Sequence, residues 1–153
     1  MKGARKPDSW YRQSGVIAVR LKDGAPRVLL VTSVGGKRWV IPKGIVEEGH
    51  SPASSAAKEA WEEAGITGQV SRRLLGRYRY EKWNGICTVL VYRLDVAEIH
   101  REWPEAHVRR RKWLAPAAAA ARVGDPVLAQ LILDTFPEVR RSSSTKQGNS
   151  RNP

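Results

Sequence analysis

Three glutamates, Glu59, Glu62 and Glu63, lie within five positions of one another in the stretch "SPASSAAKEAWEEAGI". Side chains three and four positions apart share a helix face, so the three carboxylates are predicted to project together. Carboxylates held this close repel one another unless a cation lies between them. Oxygen ligands that leave room for water and phosphate suit a hard divalent ion such as Mg²⁺ or Mn²⁺. The alternative is an acidic helix face that is only solvated.

The loop before this helix favours the metal site. The stretch "WVIPKGIVEEGHSP" (39–52) leaves a short strand and adds two further acids, Glu47 and Glu48. Gly44 has no side chain, so its backbone carbonyl can approach a metal ion closely. Lys43 is predicted to lie at the mouth of the site, where it would meet an anionic substrate. Strand, loop and helix would then direct backbone and carboxylate oxygens at one point.

The elements that position these groups can be predicted along the chain. Strands are expected where apolar, β-branched runs lie between turn signals. These runs span 14–21, 27–34, 37–42, 68–82, 85–96 and 108–116. Strands alternating with helices indicate an α/β domain in which helices cover a mixed sheet.

Three helices are predicted. The first begins at Ser51 and Pro52, ends at the capping Gly65, and carries alanines at helical spacing, which suits close packing on a sheet. The second spans 115–123. The third begins with Asp125 as its N-cap. Its predicted inward-facing residues are Val127, Leu131 and Ile132.

The charge of the chain predicts polyanionic partners. The net charge is +12 over 153 residues, of which +3 lies on a basic N-terminal arm (1–13) and +4 on residues 140–153. The +5 that remains on the body attracts nucleotides, polyphosphates, inositol phosphates or nucleic acid. One domain is predicted at 14–138, followed by a disordered basic tail at 139–153, which lacks apolar residues.

Composition also predicts the compartment. No apolar run approaches the roughly 18 residues that span a bilayer, and the N-terminal stretch lacks the apolar segment of a secretory signal. The single cysteine, Cys87, excludes an internal disulfide and suits a reducing compartment. We therefore expect a cytoplasmic protein without a membrane partner.

Residues 44–66 resemble the signature of the Nudix hydrolase family, G-x5-E-x7-R-E-U-x-E-E-x-G-U, in which U is a bulky apolar residue. The positions that match in register are Gly44, Glu59, Glu62, Glu63, Gly65 and Ile66. Three positions depart from the signature: His50 replaces a glutamate, Lys58 an arginine and Ala60 a bulkier apolar residue. The stretches "RVLLVTSVGGKRWVIPKG" and "RRRKWL" resemble the diphosphoinositol polyphosphate phosphohydrolase branch, which shares much with diadenosine polyphosphate hydrolases.

This resemblance implies the Nudix fold, an α/β/α sandwich with a mixed sheet. It also implies Mg²⁺-dependent (or Mn²⁺-dependent) cleavage of a phosphoanhydride in a highly phosphorylated small molecule, either a diphosphoinositol polyphosphate or a diadenosine polyphosphate. The alternative from another class is a non-catalytic Nudix domain that binds nucleotide or nucleic acid. The departures at His50 and Lys58 and the basic ends favour that alternative, whereas the intact set of Glu59, Glu62 and Glu63 opposes it.

The resemblance also implies roles for single residues. Glu59, Glu63 and the Gly44 carbonyl would hold the metal ion, and Glu62 would be the general base. Some Nudix enzymes take the base from a distant loop, for which the candidates are Glu81, Glu102 and Glu105. The residues expected to bind substrate are Arg12, Gln13, Ser14, Thr32, Ser33, Lys37, Arg38, Lys43, Arg109 and Arg111.

Other residues have open roles in the sequence. Arg77 and Arg79 alternate along a strand and are further candidates for phosphate contact, because guanidinium groups match phosphate geometry. The tryptophans in connections, which are candidates for ligand contact, are Trp10, Trp83 and Trp103. In the resembled family, the signature arginine pairs with the signature glutamates and holds the loop against the helix. Lys58 is expected to loosen that contact, with Glu47 or Glu48 as possible replacement partners.

Overall fold

Helices cover both faces of one mixed sheet in the computed structural model, which describes residues 9–137. The predicted tail at 139–153 and the first eight residues of the predicted arm lie outside the described residues. Within the described part of the chain, no helix is long and apolar enough to cross a membrane.

Four strands precede the first helix, three strands follow it, and two helices come last in the described part of the chain. The strands are β1 (Ser9–Lys22), β2 (Ala25–Thr32), β3 (Trp39–Val40), β4 (Lys43–Ile45), β5 (Ile66–Lys82), β6 (Gly85–Ile99) and β7 (Arg111–Leu114). The helices are α1 (Pro52–Ala64), α2 (Pro116–Arg122) and α3 (Pro126–Asp134).

The seven strands found in residues 9–137 belong to one sheet, with the order β3-β2-β1-β6-β5 along its main path. β1 is parallel to β6 from Ser9 to Val19 and antiparallel to β2 and β4. β5 and β6 form a long antiparallel hairpin, and β7 pairs with β2. The combination of parallel and antiparallel pairs confirms the predicted mixed sheet.

Side-chain alternation divides the core into two layers. Val16 and Ala18 of β1 pack in one cluster with the alanines of α1. Ile17 and Val19 belong to a second cluster with residues of α2 and α3. Because neighbouring residues of one strand serve opposite faces, both faces need a helical cover, and the predicted α/β/α sandwich is confirmed.

Several element boundaries differ from the prediction. β1 begins at Ser9 rather than near residue 14, because its parallel pairing with β6 continues to that residue. The predicted strand at 37–42 is reduced to the two residues of β3, and a further strand that was not predicted, β4, follows Pro42. The Pro42 carbonyl accepts a hydrogen bond from the Val16 N–H at 3.1 Å. β4 had no separate signal in the sequence because its three residues are ordered by pairing with β1.

The inward face of α3 also differs. Val127 is exposed, contrary to the prediction, whereas Leu128 and Ile132 are buried. Leu128 and Ile132 are four positions apart and therefore share a helix face, and Val127 lies one position away from it. Leu131 packs partly against the same cluster, as expected.

Candidate active site

The helix that carries the three glutamates is fixed at both ends and along its inner face. Ser51 accepts a hydrogen bond from the Ser54 N–H at 3.1 Å, and Gly65 closes the helix in the left-handed conformation with φ of 66°. Ala56, Ala60 and Ala64 are fully buried against the sheet. Ala60 departs from the bulky signature residue, and its small side chain lets the helix pack closely there.

Glu59 and Glu63 project from this helix toward β4. Both are buried, with exposed fractions of 9% and 6%. A Cβ atom built on Gly44 would overlap the carboxylate of Glu59, so β4 passes directly over that carboxylate. Ser14, which pairs with Gly44 across the strands, has a fully buried hydroxyl without a partner in the described residues.

Glu63 is held by two donors from different elements. The Lys43 N–H donates to its Oε1 at 3.1 Å, and Arg109 Nη2 donates to its Oε2 at 3.0 Å. Arg109 also donates to Glu105 Oε1 at 2.7 Å and to the Thr32 carbonyl at 2.9 Å. Arg109 therefore orients the carboxylate of Glu63 at the edge of the site, and its guanidinium is already bound to protein acceptors.

Burial changes the proton affinity of both carboxyls. Burial and then the nearby Glu62 raise the pKa of Glu59 to about 7. Burial raises the pKa of Glu63 to about 7 as well, although Arg109 acts in the opposite direction. A divalent cation beside these groups would favour their ionised forms.

Glu62 lies on the wetter side of the helix and pairs with Lys58. The distance from Lys58 Nζ is 3.2 Å to Glu62 Oε1 and 2.5 Å to Glu47 Oε1. Lys58 therefore joins the loop to the helix, with Glu47 as the replacement partner that the sequence left open. His50 Nδ1 lies 3.3 Å from Ser54 Oγ, close to the start of α1.

The donor set fits a hard divalent ion. Two buried carboxylates with raised pKa and the backbone of Gly44 meet in one place, and their oxygens are the ligands such ions prefer. Within residues 9–137 no three acidic, His or Cys side chains already form a metal-binding group. Glu62 is paired with Lys58 and Glu63 with Arg109.

A cavity of about 620 Å³, here called the phosphate cavity, opens beside Gly44 and Glu63. The predicted substrate-binding residues that line it are Gln13, Ser33, Lys37, Arg38, Lys43 and Arg109. The ammonium of Lys43 has no hydrogen-bonded acceptor in the described residues and lies 5.1 Å from the ring centroid of Tyr80. Burial lowers the pKa of Lys43, with Glu63 acting in the opposite direction.

Four residues expected to bind substrate do not line the phosphate cavity: Arg12, Ser14, Thr32 and Arg111. Thr32 is buried and accepts a hydrogen bond from the Arg110 N–H at 2.9 Å. Arg111 donates to the carbonyls of Ala64 and His100, and its guanidinium lies 4.0 Å from the ring centroid of Trp103. Arg111 thus holds the end of α1 in place, and its guanidinium donates to backbone carbonyls rather than facing the phosphate cavity.

The structure adds three aromatic or charged side chains to the cavity: Tyr80, Lys82 and Trp83. Trp83 was one of three tryptophans left open by the sequence, whereas Tyr80 and Lys82 were missed. Alternation along β5 places Tyr80 and Lys82 on the face opposite to Arg77 and Arg79. The same alternation in the sequence "GRYRYEK" was the signal that could have identified them.

The remaining candidates are placed as follows. Glu105 lies against α1, because its N–H donates to the Glu62 carbonyl at 3.0 Å. Neither Glu81 nor Glu102 lines the phosphate cavity. Trp103 donates from Nε1 to the Glu63 carbonyl at 2.9 Å, so it supports the helix end rather than the cavity. Trp10 is exposed beside Arg79.

Substituting Gly44 tests the close approach of β4 to Glu59. We expect Gly44→Ala to lower the free energy of unfolding by about 1–3 kcal/mol, because the added methyl overlaps the Glu59 carboxylate. Turnover should fall by up to about 10²-fold, the effect of a misplaced reacting group. Ile45→Ala, at an exposed neighbour in β4, is the matched control for thermal unfolding. Equal behaviour of the two variants would contradict this packing.

Comparison with known proteins gives consistent matches. A NUDIX domain family model matches residues 11–134. Nudix hydrolase 16, mitochondrial, of Arabidopsis thaliana is 30% identical over 128 residues, which are 78% of this chain and 71% of the relative. Diphosphoinositol polyphosphate phosphohydrolase 3-beta of Bos taurus is 27% identical over 151 residues, which are 96% of this chain and 88% of the relative.

Solved structures match the fold. An Ap4A hydrolase of C. elegans has a TM-score of 0.65 at 20% identity, covering 84% of this chain and 98% of that one. A NUDIX hydrolase from Nitrosomonas europaea has a TM-score of 0.67 at 18% identity, covering 85% of this chain and 90% of that one. At these identities the likeness establishes the α/β/α sandwich alone.

Proposed function

Because this chain belongs to the Nudix hydrolase family, which acts on pyrophosphate bonds, we propose that it is a Mg²⁺-dependent pyrophosphohydrolase of a highly phosphorylated small molecule. The substrate would be a diphosphoinositol polyphosphate or a diadenosine polyphosphate. Nucleic acid is a less favoured partner. The predicted compartment stays the cytoplasm, and the Arabidopsis relative is named as mitochondrial.

The observation that carries this proposal is the meeting of opposite charges in one place. The phosphate cavity has cationic side chains from three parts of the chain, Lys37 and Arg38, Lys43, and Lys82. Its lining also includes Gly44 and the buried carboxylate of Glu63, which belong to the group that fits a divalent ion. Cations on one side and metal-binding oxygens on the other suit a polyphosphate, whose oxygens need neutralisation from both directions.

The roles proposed for single residues follow from their contacts. Glu59, Glu63 and the Gly44 carbonyl would hold the divalent ion, of the kind that Nudix hydrolases generally use, and the bound ion would neutralise phosphate oxygens and lower the pKa of water. Arg109 and the Lys43 N–H orient Glu63. The Lys43 ammonium, which lacks an acceptor, would bind a phosphate oxygen.

Glu62 is the proposed general base. Its carboxylate is about one-third exposed and pairs with Lys58 at 3.2 Å, so it is oriented and also reachable by water. In this proposal Glu62 accepts the proton of the attacking water, and the leaving group departs as a phosphate. Glu105 is the runner-up, because Arg109 holds it beside the same helix.

A substrate panel tests the proposed function. We expect hydrolysis of diadenosine tetraphosphate or a diphosphoinositol polyphosphate that requires added Mg²⁺ or Mn²⁺. The KM should rise with ionic strength, since exposed ionic contacts are screened within about 10 Å at 0.1 M salt. Lys82→Ala should raise the KM, whereas the exposed Lys112→Ala on β7 should not.

One result would contradict the proposed function, and a second experiment tests the role of the tail. If no pyrophosphate in the panel is hydrolysed while a nucleotide or nucleic acid still binds, the chain is a non-catalytic binding domain. Truncation of residues 141–153 should leave turnover of a small substrate unchanged. If truncation abolishes activity without unfolding the protein, the tail belongs to the site.

A further inference from the structure

The sheet has an uncovered area on the face that carries α1. The helix has 13 residues and is about 20 Å long, whereas the 15 residues of β6 extend over about 50 Å. The alanines of α1 belong to one cluster with Val16 and Ala18 of β1 and Leu94 of β6. The first residues of β1 and β6 and the last residues of β5 therefore extend past the helix.

Strand register arranges the side chains of this area in three rows. β6 lies between β1 and β5, so each of its residues has one partner on either side. Leu90 packs against the cluster beneath α1, and every second residue of β6 counted from it faces the same way. The rows are Ser14, Leu90 and Arg77; Arg12, Thr88 and Arg79; and Trp10, Ile86 and Glu81.

The exposed basic and aromatic members of these rows are here called the basic platform: Trp10, Arg12, Arg77 and Arg79. All four side chains are exposed, and the exposed fraction of Trp10 is 60%. None of the three arginines has a hydrogen-bonded or ion-paired acceptor among the described residues. The Arg79 guanidinium lies 5.8 Å from the ring centroid of Trp10. Glu81 is the one acidic residue in the three rows, so the area is positively charged.

The basic platform is separate from the phosphate cavity. None of its four residues lines that cavity. Tyr80 and Lys82, which do line it, lie on the opposite face of β5 by strand alternation. The arginines of the platform were expected from the sequence to contact phosphate, and the phosphate cavity makes no use of them.

We propose that the basic platform binds single-stranded nucleic acid, with Trp10 stacked on a base and the arginines on the phosphates. Guanidinium groups match the geometry of phosphate oxygens. Open sheet faces with exposed aromatic rings stack unpaired bases, and every base has a face that can stack. Because Arg79 lies next to the Trp10 ring, a phosphate held by Arg79 would bring the adjoining base to that ring. Nucleic acid is less favoured as the substrate of the phosphate cavity, and the partner of the platform need not be cleaved.

Other polyanions fit the platform less well. An acidic peptide would satisfy the arginines and would leave the exposed indole of Trp10 without a planar partner. A duplex keeps its bases paired and stacked, so the indole would meet only the backbone. The chain also adds positive charge at this place. Residues 1–8, which lie outside the described residues, join β1 beside Trp10 and carry Lys2, Arg5 and Lys6 against Asp8.

Fluorescence anisotropy with the full chain tests the proposal. The probe is a labelled single-stranded RNA of about 12 nucleotides with a 5′-hydroxyl end, in EDTA, so that it offers neither a pyrophosphate nor a metal ion. We expect binding at about 50 mM salt that weakens as salt rises, and comparable binding of DNA of the same sequence. The duplex form of the probe and a polyglutamate peptide should both bind more weakly than the single strand.

Variants at the platform locate the binding. Arg77→Gln/Arg79→Gln should lower the slope of log affinity against log salt by about 1.4, because two phosphate contacts are lost at about 0.7 each. Arg101→Gln/Arg122→Gln removes the same charge at exposed positions outside the platform and is the matched control. Trp10→Ala should weaken binding at least about fivefold, the lower end of what stacking of one base contributes, and Trp10→Phe should retain most of it. Leu21→Ala, at the exposed far end of β1, should change nothing.

Three outcomes would overturn the proposal. The platform is not the site if both arginine double variants weaken binding equally, or if truncation of residues 141–153 alone abolishes it. The partner is not single-stranded nucleic acid if the duplex or polyglutamate binds as tightly and Trp10→Ala has no effect. All the substituted positions are exposed, so unchanged thermal unfolding of each variant would show that lost binding is not lost folding. These measurements do not involve turnover and stand apart from the proposed catalysis.

Discussion

Replacing Glu59 and Glu63 together by glutamine is expected to abolish Mn²⁺ binding almost completely and to remove turnover. The double variant keeps the shape of both side chains and removes the two buried anions that fit the ion. Calorimetric titration with Mn²⁺ measures the effect. The matched control is Asp23→Asn/Glu98→Gln, which changes the net charge equally at exposed positions. Undiminished Mn²⁺ affinity of the Glu59→Gln/Glu63→Gln variant would refute the metal assignment.

The pH dependence of Mn²⁺ affinity and of stability is a second test of the carboxyls of Glu59 and Glu63. Each carboxyl has its pKa raised from 4.5 to about 7 in the metal-free protein, so below pH 7 protons compete with the metal and Mn²⁺ affinity should fall. The metal-free protein should also lose stability as pH rises from about 4.5 to 7, because the unfolded chain releases these protons first. Thermal unfolding as a function of pH tests this, and the double variant should lose that part of the slope.

Glu62→Gln is expected to fold normally and to lose at least about 10²-fold in kcat, the scale of a removed general base. Its carboxylate lies between the two proposed metal ligands in sequence and is open to water. Lys58→Gln is the informative control, because it breaks the ion pair with Glu62 while leaving the carboxylate in place. A steady-state pH profile of each variant separates the two roles.

Two outcomes would contradict the assignment of Glu62. If Lys58→Gln lowers kcat as much as Glu62→Gln does, the ion pair matters rather than the proton transfer. If Glu62→Gln costs less than about tenfold and Glu105→Gln costs 10²-fold or more, the base is Glu105.

Local periodicity in the sequence was sufficient for the architecture and for the acidic part of the site. Helical spacing places Glu59 and Glu63 on one face, and both are buried near Gly44. Glu62, which was predicted to project with them, lies instead on the wetter side of the helix and pairs with Lys58. Strand alternation separates the residues of β1 between the two core layers. These features depend on neighbours within a few positions, and for that reason they could be predicted without coordinates.

Tertiary structure decided the partners of the charged side chains. Arg109 and Glu63 are 46 positions apart, and nothing in either neighbourhood distinguishes a guanidinium that binds a carboxylate from one that binds a phosphate. Arg111 was expected to meet substrate, yet its donors are used by two backbone carbonyls. Lys58 was expected to loosen the contact between the loop and α1, yet it forms an ion pair with Glu47 in the loop.

The cavity walls show the same division. The sequence identified Lys37, Arg38 and Lys43, which follow one another closely along the chain. Tyr80 and Lys82 join them from β5, which β6 separates from β1 in the sheet; the Tyr80 hydroxyl reaches Gln13 of β1, to whose Oε1 it donates at 2.7 Å. A separate cavity of about 390 Å³ lies between β5 and the connection from α2 to α3, two parts of the chain that only the tertiary structure brings together. Sequence patterns determine which face of an element a residue occupies, whereas long-range packing decides what that face meets.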